Sequence, residues 1–168
     1  MDAAIWGLLG TIVGALASIA TSWIGGRHAF GLQRQVASEE QKERHRAFQR
    51  ETLIKLQEAL HDSLRMMTRA HLEDAASFKT SGNSQTSILS EDVNEGVRVA
   101  GRRLIILIQR VANDDLRSDL KAIAENMARV VMAKSQREAD AALADVYQAG
   151  ERVMEHIGAV LRGYYESK

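Results

Sequence analysis

The sequence predicts an all-α protein, a single N-terminal transmembrane helix followed by an antiparallel bundle of about four helices. Three observations carry that expectation. Residues 3–26 hold no ionisable side chain. The 168 residues include no proline, so no pyrrolidine ring interrupts a helix. Beyond residue 50, apolar side chains return at three- and four-residue steps. With the first 26 residues set aside, roughly 140 remain, which suits one soluble domain with a modest core.

The run 3–26 would extend about 36 Å as a helix, against a hydrocarbon layer of about 30 Å. Trp6 and Trp23 fall near its two ends, where indole rings favour the membrane–water interfaces. A cleaved secretory leader opens with basic residues, whereas Met-Asp-Ala-Ala stands here, so the segment is expected to be retained. Arg27, Arg34, Lys42, Arg44, Arg46 and Arg50 follow the run and no basic residue precedes it. The positive-inside rule then places Arg27 at the cytoplasmic interface, the N-terminus outside the cell (inner) membrane and residues 27–168 in the cytoplasm. The competing reading is a buried helix of a water-soluble protein.

At 100° per residue, Ile5, Leu9, Ile12, Leu16, Ile19 and Trp23 share one side of this helix. Nearly opposite lie Gly7, Gly10, Thr11, Gly14, Ser18, Thr21, Ser22 and Gly25, a stripe of small or hydroxylated residues that includes Gly10-x-x-x-Gly14. Small residues let helices approach closely in lipid, and hydroxyls can bond across the contact, so the stripe is expected to be an oligomer seam. In a ring of many copies the same face could line a narrow water-filled lumen.

Residues 27–76 contain one strong breaker, Gly31, and read as a long stalk helix continuing the anchor, with Leu53, Leu56, Leu60, Leu64 and Met67 on one face. Glu40 with Arg44 and Glu51 with Lys55 are i,i+4 pairs in the favoured order. Residues 77–90 are polar, lack a helical period and read as a flexible loop. Ser90 then stands where a helix cap is wanted, followed by Val93, Val97, Ala100, Leu104, Ile105, Ile108 and Val111. Residues 104–108 are apolar nearly all round, which predicts the most buried element. A third helix places Leu116, Leu120, Ile123, Met127, Val130 and Val131 on one face. Ser135-Gln-Arg-Glu138 fits a capping box that would start a fourth helix, although one long helix over 115–165 is the alternative.

The function classes that the composition excludes are clear. Without cysteine there is no disulfide framework, no thiol nucleophile and no cysteine-ligated metal. Lys and Arg balance Asp and Glu at 22 each, so nothing global points to nucleic acid. No His-Glu-x-x-His, phosphate-binding glycine loop or Gly-x-Ser-x-Gly occurs, and the five histidines, at 28, 45, 61, 71 and 156, are scattered. No cofactor and no metal are expected.

One pattern bears on catalysis. Arg65-Met-Met-Thr-Arg-Ala-His71 resembles the Arg-x(4 to 6)-His signature of HEPN domains, helical bundles whose arginine and histidine can cleave RNA. That resemblance implies a ribonuclease, with His71 as acid/base and Arg65 stabilising phosphate charge. The position after the arginine, often polar in such nucleases, is Met66 here. In its order of elements, one membrane helix and then a helical bundle, the chain is also similar to the membrane-anchored accessory proteins of type VI-B CRISPR loci. This similarity implies assembly into a membrane pore that assists antiviral defence. The partners then expected are the lipid bilayer and further copies of the chain. A tethered scaffold that binds another protein is the alternative outside effector and enzyme.

Overall fold

A computed structural model of the chain describes the backbone of residues 2–81 and 89–166, and the side chains of residues 7, 14, 18, 33–79 and 89–166. The described residues are helical, without strands, in the order α1 (Asp2–Ser81), α2 (Glu91–Ile108), α3 (Asp114–Val131) and α4 (Gln136–Glu166). The chain divides into two compact units, Met1–His45 and Arg46–Lys168.

In the first unit α1 runs without a break, and its exposed surface carries Lys42–Glu39 at 2.8 Å and Arg44–Glu40 at 2.9 Å. Among the described residues no helix is long and apolar enough to cross a membrane. Apart from Gly7, Gly14 and Ser18, the side chains of 3–26 lie outside those described, Trp6, Gly10, Thr11, Thr21, Ser22, Trp23 and Gly25 among them, as does Arg27.

The second unit is an up-down-up-down bundle of four helices. Arg103 of α2 reaches Glu58 and Asp62 of α1, and Arg69 of α1 reaches Asp92 at the start of α2, so the two helices run antiparallel. Leu64 against Gly150 and His71 against Asp140 set α4 antiparallel to α1. His156 against Asp119 and Gly150 against Ile123 do the same for α3 and α4. The core draws on all four helices, with Leu53, Leu56, Leu60, Leu104, Leu116, Leu120, Ile123, Val146 and Ile157 within 1% of full burial. At roughly 1.5–3 kcal/mol for each such side chain taken from water, this layer is what holds the bundle together.

Several local expectations are corrected. α1 continues through Ser81, so 77–81 is helical and not part of the loop. Ser, Thr and Phe cost a helix only a few tenths of a kcal/mol each, and a helix already formed adds a hydrogen bond with every residue; the next glycine after Gly31 is Gly82. Residues 82–88 of the expected loop lie outside those described. Residues 104–108 are not buried all round, because Ile105 is 56% and Ile106 48% exposed. One helix face meets the core, and these two residues point away from it. For the same reason Val131 is exposed where Val130 is buried. α2 stops at Ile108, leaving Val111 buried in the connection to α3.

The capping box is present and divides 115–165 into two helices. The Glu138 amide donates to Ser135 Oγ at 3.3 Å, and the Glu138 carboxylate accepts from the Lys134 amide at 2.9 Å, one residue earlier than the usual return bond. Ser135→Ala should therefore lower stability by about 0.5–2 kcal/mol, read as a lower midpoint in thermal melting of the whole chain. An unchanged midpoint would show that the turn holds without its cap. At the head of α2 the expected cap is replaced. Ser90 occupies the N-cap position but makes no capping bond, and its hydroxyl lies 2.9 Å from the Glu73 carboxylate of α1 and is shared with Asp92.

Candidate functional site

The small-residue face of α1 is the first candidate. The helix persists through all its positions, from Gly7 to Gly25, so the 3.6-residue period groups them along one side. Gly7, Gly14 and Ser18 are exposed, and a methyl group added at Gly7 or Gly14 would meet nothing within 4 Å. A second helix therefore meets no obstacle from this chain at those two positions.

The structure does not bring Arg65 and His71 together. Six positions apart on one helix, they point about 120° from each other. Arg65 is exposed, 3.9 Å from Asp62, and lines a surface cleft with Leu72 and Tyr147. His71, with 10% of its side chain exposed, lines a different cavity of about 240 Å³ beside Asp74 and Ser135. Its Nε2 lies 2.9 Å from Asp140 Oδ1 and 3.3 Å from Gln136 Nε2, and Gln136 also donates to Asp140 at 3.0 Å. A nuclease of the expected type needs both groups on one phosphate, and this geometry instead uses His71 to join α1 to the first turn of α4.

The other histidine contacts are equally local. His156 Nδ1 meets Asp119 Oδ2 at 2.7 Å, pinning α4 to α3. Among the described residues no group of three His, Asp or Glu converges as a metal site. At the head of α2, the Ser90 hydroxyl and then the Arg69 guanidinium hold the Asp92 carboxyl below the ordinary carboxylate range. This tie between α1 and α2 is thus intact above that range and weakens as pH falls through the lowered value.

Two polar residues of consequence went unnoticed in the sequence. Gln49, 3% exposed, donates to the Arg110 carbonyl and accepts from the Ala112 amide, both at 3.0 Å, fastening the α2–α3 connection to α1. The signal was its phase, since Gln49 stands seven residues before Leu56 on the buried face. Ser63, 5% exposed, lies on that same face, and its hydroxyl has no hydrogen-bond partner.

No protein-family model, no curated protein and no solved structure matches this chain.

Proposed function

We propose that this chain is a single-pass membrane protein that self-associates through the small-residue face of its first helix and displays its helical bundle in the cytoplasm. The observation that carries the reading is the charge-free run 3–26, in which bulky residues take one face and Gly7, Gly10, Gly14, Ser18, Thr21, Ser22 and Gly25 the other. The continuous helical backbone of α1 over these positions supports it, because the 3.6-residue period then groups those residues on one side. The open space at Gly7 and Gly14 supports it as well. An assembly of such helices can perturb or perforate a bilayer. The order of elements, similar to that of the CRISPR-associated membrane proteins, suggests an effector in antiviral defence.

Leu9→Arg with Ile12→Arg tests the anchor. A guanidinium near mid-bilayer costs about 2.5–3.5 kcal/mol on insertion scales, so the double variant should leave the membrane pellet after an alkaline wash while the parent stays in it. Recovery of the parent in the supernatant would end the proposal.

A second reading, a tethered adaptor for another protein, is favoured by one observation. Val99 and Ile106 stand 54% and 48% exposed on α2, about one turn to either side of Arg102 and Arg103, as an amphipathic partner would require. Replacing residues 1–26 by an unrelated anchor would preserve function under this reading and abolish it under the first.

A further inference from the structure

We infer that the cavity walled by His71, Asp74 and Ser135 binds a small primary amine with an apolar body, of the size and kind of phenethylamine, whose ammonium group pairs with Asp74 and donates to His71 Nδ1. The inference concerns the bundle alone and does not depend on the membrane assignment.

Three segments enclose this space of about 240 Å³: the turn of α1 that carries His71 and Asp74, the connection from α3 to α4 through Ala133 and Ser135, and Leu89 ahead of α2. Its floor is the edge of the core. Met67, Ala70, Val130 and Ala139 line it and keep 5–7% exposure, whereas Leu60, Leu120 and Ile123 keep none. Apolar side chains therefore meet the cavity on one side and polar ones on the other, the make-up of a site for a small organic ligand.

The polar wall supplies the chemistry. The His71 side chain is only 10% exposed, with Nε2 2.9 Å from Asp140 Oδ1. A carboxylate can only accept, so Nε2 carries the proton and Nδ1 of the neutral ring is left with its lone pair. Among the described residues Nδ1 has no hydrogen-bond partner, and it is not sealed from solvent. Asp74 is partly buried, lines the same cavity, and makes no hydrogen bond or ion pair among the described residues. Three positions apart on one helix, the two side chains are neighbours. They offer one lone pair and one full negative charge to a single ligand group.

Charge and size restrict the class. α3 ends at Val131 on the cavity wall, and the last carbonyls of a helix carry partial negative charge. The basic residue of that last turn, Arg129, is bonded to Asn126. An anion would be repelled by Asp74, and a divalent metal would lack ligands, since among the described residues no third His, Asp or Glu converges here. An ammonium group carries three donors on one centre, enough for Asp74, His71 Nδ1 and the Ser135 hydroxyl oxygen. Water could serve the same polar wall but would leave the apolar floor wet. A cavity of about 150 Å³ holds benzene, so one of about 240 Å³ takes a ring with a two-carbon amine tail.

Met67 makes the test site-specific, because it lines the cavity whereas Met66, Met127 and Met154 do not. In the full chain in phosphatidylcholine nanodiscs with isotope-labelled methionine methyls, phenethylamine should shift the Met67 signal saturably and leave those of the other three in place. In isotope-labelled histidine, the Nδ1 signal of His71 should move upfield with the same saturation as it accepts the new bond. Phenylethanol, equal in shape but with a hydroxyl for the amine, should bind about tenfold more weakly, the effect of a lost charge-assisted hydrogen bond. Asp74→Asn should bring the amine down to the alcohol's affinity while the alcohol binds as before, which also shows that the variant is folded. Absence of a saturable shift at Met67, or an equal shift at Met127, would overturn the site. An amine preference that survives Asp74→Asn would overturn the role of Asp74, and a His71 Nδ1 signal that stays in place would overturn that of His71.

Discussion

Gln49→Leu is expected to destabilise the bundle by about 1–3 kcal/mol, although it makes the core more apolar and nearly conserves volume. The Gln49 amide serves both the Arg110 carbonyl and the Ala112 amide across the α2–α3 connection. Arg117 completes the set from the other side, donating to the Val111 carbonyl at 3.0 Å and to the Ala112 carbonyl at 3.3 Å. Leucine would remove two part-buried hydrogen bonds to a connection whose residues Arg110 and Ala112 are themselves exposed, and each such bond is worth about 0.5–1.5 kcal/mol net. Chemical denaturation followed by far-ultraviolet circular dichroism measures the loss directly. A stability equal to the parent's would mean that the connection finds water or other partners, and that Gln49 is not the fastening it is described as here.

Gly10→Ile together with Gly14→Ile is expected to have the largest effect on assembly. Close packing of helices in lipid depends on dispersion contacts, and these fall away when bulky side chains hold the backbones apart. The double variant should lose most of its self-association. Any leak of dye or ions from liposomes containing the parent should fall with it, while the bundle, being separate in sequence, keeps its melting behaviour. A variant that leaks and associates as the parent does would remove the small-residue face from the account.

Helices were legible in this chain because the physics that makes them is local. The leucine phase over 53–67 and the Ser135/Glu138 box are short-range signals, and both appear in the structure. The end of α1 was misplaced because serine and threonine disfavour a helix too weakly to stop one that is already formed. Exposure within an apolar cluster was hidden for another reason. Ile105 and Leu104 are equally apolar, and only the packing of α2 against its neighbours decides which of them is buried. Long-range polar contacts were the least accessible. Gln49 finds its partners 61 and 63 residues away, and Asp140 meets His71 across the bundle. The Arg65/His71 pair shows the converse, a spacing that matches a signature while the helix turns its two members apart.

The mass of the detergent-solubilised full chain, measured by light scattering with the detergent contribution subtracted, bears most directly on the central claim. One copy weighs 18.6 kDa. The account predicts a discrete multiple of that mass for the parent and a collapse toward a single copy for the variant with isoleucine at positions 10 and 14. A parent that is already a single copy, or a variant with the parent's mass, would contradict it.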